Sequence, residues 1–151
     1  MVYRIYAAVF AMIKIAIVSV GRPKERWIEE GFEEYCKRMR TYVEVMSTWV
    51  RDDAQLEAFL AKEKAVVCLD PKGAMHTSEK FSRYLDKKIE QGGARLTLAI
   101  GGAEGLPAKV RAQHDLISLS PMTFTHQMSR LILVEQIYRA FEIMKGTGYH
   151  K

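Results

Sequence analysis

Residues 95–105 read RLTLAIGGAEG, and the reading of this stretch decides the fold. Arg95–Ile100 is a short, mostly apolar run of strand length, and it passes without a spacer into a loop with glycine at 101, 102 and 105. A strand that ends directly in a glycine loop suits an open parallel sheet, where ligands bind beyond the carboxyl ends of the strands. Working upstream, Ser78–Gln91 places Phe81, Tyr84, Leu85 and Ile89 at helical spacing. Thr77 opens this segment and Gly92-Gly93 stops it. Before it, residues 65–69 (AVVCL) form a second buried strand, closed by Asp70-Pro71-Lys72-Gly73. Asp52 and Asp53 are N-cap residues for a short helix reaching residue 62, and residues 42–50 have strand composition.

The first core strand is IKIAIVSV at residues 13–20, broken by Gly21, Arg22 and Pro23. Residues 24–40 follow as a helix, with Trp27, Ile28, Gly31, Phe32, Tyr35 and Met39 on its apolar side. Downstream of the glycine loop come a short helix after Pro107, a strand over 116–119, a loop over 120–125 and the longest helix, 126–144. Strands that alternate with helices give one α/β domain, a mostly parallel sheet with helices on both faces.

The 151 residues are one domain's worth of chain, with 48% hydrophobic and 27% charged residues, a balance that excludes disorder. The net charge of +5 favours a polyanionic partner. Cys36 and Cys68 stand in no CxxC pattern and beside no histidine pair, so they read as reduced, cytoplasmic thiols with no metal site. Residues 1–11 are apolar with an early Arg4, and AVFA at 8–11 has some likeness to a cleavable signal. Lys14 interrupts that run, and nothing later supplies the twenty or so apolar residues of a membrane span. The expectation is a short extension over 1–11, with Met12 as an alternative start, and a cytoplasmic domain over 12–151.

Three strand ends can carry chemistry: Leu69-Asp70, Ile100-Gly101-Gly102 and Leu119-Ser120. The glycines of GGAEG let a backbone approach a ligand closely, although an ordinary turn uses the same residues. A dinucleotide-binding domain places GxGxxG after its first strand, and SVGRPKERW at 19–27 lacks it. Glu135 and Arg139 lie i, i+4 on one helix face, an arrangement that also describes a plain surface ion pair. His126 precedes the last helix and serves equally well as a cap, and Tyr149-His150-Lys151 has the composition of a frayed end.

A resemblance sharpens this reading. LAIGGAEGL at 98–106, ISLSPMTFTHQMSRLILVEQIYRAFEIMKG at 117–146, YHK at 149–151 and MIKIAIVSVGRPKERWIEEGFEEYCKRM at 12–39 together resemble the RlmH family. Its members are small SPOUT-class methyltransferases that act on large-subunit (23S) ribosomal RNA. The resemblance spans 12–151 and implies a C-terminal trefoil knot, an exception to unknotted folding. It further implies S-adenosylmethionine bound bent in that knot, a homodimer, and methylation of N3 of a pseudouridine on the assembled ribosome. By position it assigns cofactor contacts to Leu69, Gly102, Leu119, Ser120, Pro121, Met122, Thr123 and Phe124.

Removal of the N3 proton calls for a base or a polarising cation, and Glu135, Arg139, Tyr149 and His150 are the catalytic candidates, with His126 and Lys151 as RNA contacts; the resemblance weighs on the tail, since in that family the C-terminus helps build the active site. Tyr149 and His150 are expected to order around the target base, while Lys151 and Arg139 meet phosphate or a uracil oxygen. Two departures stand out: the extension at 1–11, and Thr125 where many relatives have proline. Two rival readings are a non-catalytic RNA- or ribosome-binding module and a nucleotide-dependent oxidoreductase. Cofactor titration separates them.

Overall fold

The computed structural model describes residues 12–151, so the extension expected over 1–11 lies outside the described residues. The elements are β1 (Ile13–Val20), α1 (Arg26–Met39), β2 (Val43–Val50), α2 (Asp53–Ala61), β3 (Val66–Met75), α3 (Ser78–Gln91), β4 (Arg95–Ile100), α4 (Ala108–Gln113), β5 (Asp115–Ser118) and α5 (His126–Lys145). The five strands form one sheet in the order β2-β1-β4-β3-β5, and every pairing is parallel.

The alternation of side chains along the strands assigns the two faces. Ile13, Ile15 and Ile17 of β1 and Leu96, Leu98 and Ile100 of β4 face one way, against Phe32 of α1, Leu85 of α3 and Val134 of α5. Val18 of β1 and Ala99 of β4 face the other way, against Leu56 and Leu60 of α2 and Val110 of α4. Sequence period thus becomes a three-layer sandwich.

Two expectations change. The strand read as ending at Leu69 continues to Met75, after an irregularity in which both Leu69 and Ala74 pair with Ile117. Residues 70–73 arch out between those two pairings. Gly73 permits the return, because a Cβ there would stand 2.6 Å from the Ile117 backbone. Trp27, read onto the apolar side of α1, is 56% exposed. The stripe that reaches the core runs through Ile28, Phe32 and Met39, and Trp27 lies one position off it.

The last helix is held by a buried cation. Arg130 is 2% exposed, stacked 3.6 Å from the ring centroid of Phe32 and 4.3 Å from that of Trp49. Its guanidinium pairs with Glu29 and donates to Ser47 Oγ at 2.6 Å. Burial pulls its pKa down while Glu29 pushes it back up, and arginine stays charged throughout. Arg130 therefore ties α5 to α1 and β2 at once. Near the same end, Gln127 Nε2 donates to the Arg22 carbonyl at 3.1 Å, and Thr125 Oγ1 caps the helix by accepting from Met128 N at 3.2 Å. Thr125 replaces the expected proline with a side-chain cap.

Breaking the buried pair is costly because it strands a charge or a cavity. Arg130→Ala is expected to lower unfolding stability by roughly 3–5 kcal/mol in urea titration. Arg26→Ala, which removes the exposed pair with Glu30, should cost less than about 1 kcal/mol. Equal losses in the two variants would remove Arg130 from this role.

Candidate active site

The carboxyl ends of β3, β4 and β5 open onto one cleft of about 640 Å³. Leu69, Asp70 and Pro71 line it from β3, Ile100 to Gly102 from β4 and the following loop, and Ile117 and Ser118 from β5. Residues 119–125 then run along it to His126 and Ser129 of α5. All eight positions assigned to the cofactor by resemblance are in this wall: Leu69, Gly102, Leu119, Ser120, Pro121, Met122, Thr123 and Phe124. His126, expected as an RNA contact, lines the same cleft.

The loop at 101–105 is tight. Gly105 N donates to the Gly102 carbonyl at 2.9 Å, and Gly105 has φ +82°. The two leading glycines differ in what they leave open. A Cβ on Gly101 would lie 2.5 Å from the Gly105 carbonyl carbon, so the loop itself requires this glycine. A Cβ on Gly102 would meet only the Val20 side chain, at 3.4 Å and beyond. Gly102 lines the cleft, and its own packing leaves room for a methyl group. In the second wall, Ser118 Oγ donates to the Ser120 carbonyl at 3.0 Å and Ser120 Oγ accepts from Met122 N at 3.0 Å. These short-range bonds fix the backbone of 118–122.

Asp70, named in the sequence as part of a strand end but given no role, is 7% exposed in the cleft wall. One carboxylate oxygen accepts from Lys72 N at 2.8 Å, and the other lies 2.9 Å from Arg111 Nε. Its signal was its place, the first polar residue past a buried strand.

The four catalytic candidates assemble elsewhere on the same protomer. Glu135 Oε1 accepts from Arg139 Nη2 at 2.6 Å and Nε at 3.1 Å, and from the Tyr149 hydroxyl at 3.0 Å. Arg139 Nη1 lies 3.1 Å from His150 Nδ1, and His150 Nε2 lies 2.6 Å from Glu79 Oε1. Because arginine only donates, Nδ1 is the acceptor and the ring proton faces Glu79. Hydrogen bonding from His150 holds the Glu79 carboxyl down to about 2. Burial, and then the bond to the Glu135 carboxylate, raises the Tyr149 hydroxyl well above the ordinary phenol range, so Tyr149 acts as a donor. The tail is thus an ordered cap on α5. Lys151, the expected RNA contact, is exposed at the chain end.

None of Glu135, Arg139, Tyr149, His150 and Lys151 lines the cleft. Ser129, which does, is ten positions from Arg139, about 15 Å along a helix. Sequence reasoning missed Glu79, which is 71 residues from its partner His150. Among the described residues no group of three or more His, Cys, Asp or Glu is placed to hold a metal, and no helix is long and apolar enough to cross a membrane.

Comparison with known proteins places this geometry. Residues 13–150 match the family described as predicted SPOUT methyltransferase. Among solved structures, the chain superposes on the A. aeolicus TrmH/SpoU tRNA modifying enzyme with a TM-score of 0.51 at 12% identity, over 90% of this chain and 78% of that one. It superposes on the SpoU methyltransferase AviRb from Streptomyces viridochromogenes, solved with AdoMet, with a TM-score of 0.50 at 11% identity. That match covers 85% of this chain and 58% of the longer AviRb chain. At such identities the superpositions speak for the fold, and with the matched family they define the class as the SPOUT methyltransferases.

Sequence relatives narrow it. A ribosomal RNA large subunit methyltransferase H from Protochlamydia amoebophila is 51% identical over 140 residues, covering 93% of this chain and all of its own length. The protein of the same name from Halothermothrix orenii is 42% identical over 92% of this chain and all of its own length. The chain belongs to this family, the RlmH family of SPOUT methyltransferases.

The contrast between the two glycines is testable by thermal unfolding. Gly101→Ala should destabilise by roughly 1–3 kcal/mol, since backbone has to shift to admit the methyl group. Gly102→Ala should stay within about 0.5 kcal/mol of the parent. The reverse order would contradict the assignment of Gly102 to the cleft.

Proposed function

We propose that this protein transfers the methyl group of S-adenosylmethionine to N3 of a pseudouridine in large-subunit ribosomal RNA, on the assembled ribosome and as a homodimer. The observation that carries the reading is one cleft lined by residues 100–103, 105 and 106 of the glycine loop and by 117–125, with Gly102 in its wall. The relatives named above carry the name of a large-subunit ribosomal RNA methyltransferase, and AviRb was solved with AdoMet.

The residues present fit the cofactor. A volume of about 640 Å³ lies in the usual range for small-molecule sites, roughly 300–1,000 Å³. Leu69, Ile100, Leu106, Ile117, Leu119 and Phe124 offer apolar surface to a purine, while rigid backbone at the strand ends offers donors and acceptors to its edge. The Asp70 carboxylate supplies negative charge within the wall, tempered by Arg111. Threading of 119–145 behind the glycine loop as a trefoil knot belongs to the same proposal, since it joins edge strand β5 to a helix packed on α1 and α3.

Bound there, S-adenosylmethionine supplies a methyl carbon on a sulfonium, whose C–S bond breaks as the N3–C bond forms. N3 gives its proton to solvent in the exchange, and the negative charge this leaves on the imide is shared by the flanking ring oxygens until the N3–C bond is made. Arg139, aligned by Glu135, is the cation that meets that charge, and Tyr149 donates a hydrogen bond to the same region. His150 links the tail to α3 through Glu79 and so sets where the tail lies. Alignment of acceptor and methyl supplies the main rate gain, of the order of several kcal/mol.

The dimer reading rests on α5. Ile137 and Phe141, read from the sequence as part of a wide apolar surface, are buried in the domain. Met128, Leu131, Tyr138 and Met144 are only half-buried, leaving an apolar stripe for a two-fold partner, while Ile132 turns toward α3. Sedimentation at micromolar concentration should give twice the chain mass, and a monomer would contradict the stripe's role.

The non-catalytic RNA-binding alternative fails or survives on cofactor binding. Calorimetry should detect S-adenosylmethionine with the wild-type chain and lose it with Gly102→Val, while circular dichroism stays unchanged. Truncation after Gly148 should abolish methylation of ribosomes yet leave cofactor affinity nearly intact. Full activity in the truncated enzyme would remove the tail from the chemistry.

A further inference from the structure

Beside the cofactor cleft lies a second, smaller cavity of about 150 Å³, between the start of α3 and the middle of α5. Its lining is His76, Ser78, Phe81, Ile117, Ser118, Leu119, Ile132 and Gln136, and nothing above uses His76, Ser78 or Gln136. We propose that this cavity seats the heterocycle of the acceptor nucleotide. The proposal rests on the methyl-transfer reading and adds to it the place where the base is held.

Position comes first. Ile117, Ser118 and Leu119 line both cavities, so an occupant of the small one lies against the strand end that also walls the cofactor cleft. On its other side, Gln136 Nε2 donates to Glu135 Oε2 at 2.9 Å, and Glu135 holds Arg139 and Tyr149. The small cavity therefore bridges two groups that the cleft alone leaves apart.

Chemistry agrees with position. Phe81, Ile132 and Leu119 give apolar walls suited to the faces of a flat ring. Polar groups are gathered at the rim: Ser78 Oγ donates to Gln136 Oε1 at 2.8 Å, which fixes the amide and leaves it one further N–H and a lone pair. His76 Nε2 is shielded from solvent with no hydrogen-bond partner among the described residues. The imidazole is held by stacking on Tyr84, with centroids 4.9 Å apart. A buried polar atom left unpaired is costly, and here it borders a cavity that a ligand edge can fill.

Size narrows the occupant. At roughly 30 Å³ per water the cavity takes a few waters or one six-membered ring, and it excludes a purine nucleoside. A pyrimidine drawn out of its stack, with one ring carbonyl toward Gln136 and His76 and N3 turned to the shared wall at 117–119, matches the volume, the apolar faces and the polar rim.

The test uses the full-length enzyme and ribosomes from a strain whose own methyltransferase has been deleted. His76→Phe and Gln136→Leu remove the polar rim, and Ile132→Phe fills the cavity without touching a polar group. Each should lower kcat/KM for ribosomes by tenfold or more, while the calorimetric Kd for S-adenosylmethionine stays within twofold and the melting curve stays cooperative. Wild-type kinetics in all three variants would overturn the assignment, and so would a parallel loss of cofactor affinity, which would make the cavity part of the cofactor cleft. If the wild-type enzyme binds S-adenosylmethionine but methylates nothing in the ribosome, the functional reading fails and this proposal fails with it.

Discussion

The start of α5 is pinned from three sides, and the rest of the site depends on that. Arg130 is sandwiched between Phe32 and Trp49 and paired with Glu29, so one turn of α5 is bound to both α1 and β2. Gln127 adds a bond to the carbonyl of Arg22, just past the end of β1. Yet β5, the strand that precedes this helix, is at the far edge of the sheet, beyond β3. Residues 119–125 have to cross the carboxyl ends of the strands between those two fixed points. That crossing makes the cleft, and its wall is mainly backbone because the segment is too short to do more than span.

Around that constraint the molecule divides its polar chemistry. The cleft holds one acidic side chain, Asp70, already committed to Arg111 and Lys72 N. A second polar cluster lies on α5, where Glu135 organises Arg139 and Tyr149, and Glu79 tethers His150. A positively charged methyl donor and a negatively charged RNA place opposite demands on their surroundings. Keeping an apolar, backbone-lined cleft apart from an arginine-centred cluster meets both, and the small cavity between α3 and α5 lies where the two meet.

Much of this was legible in the residues. Ser78–Gln91 and Arg95–Ile100 fall where helical spacing and flanking glycines put them, because the helix buries one clean stripe and the strand is buried on both faces. The cleft positions were legible too, since a strand that runs directly into glycine has little else to do at a sheet's carboxyl edge. What escaped was long-range. The continuation of β3 past Pro71 depends on Gly73 meeting the Ile117 backbone, 44 residues away in the chain, and no local signal carries that. Nothing in the sequence around Arg130 marks it out, and only the packing of α1 and β2 against it turns it into an anchor. Glu79 and His150 likewise meet only once the tail folds back.

The central claim is that backbone at the ends of β3, β4 and β5 holds the methyl donor. Amide chemical shifts followed residue by residue during S-adenosylmethionine titration test it most directly. The account predicts saturable changes concentrated at 69–71, 100–106 and 117–126, with the far ends of the strands unmoved. Changes centred on the outer face of α5 or on the β1–α1 junction, with the glycine loop silent, would contradict it.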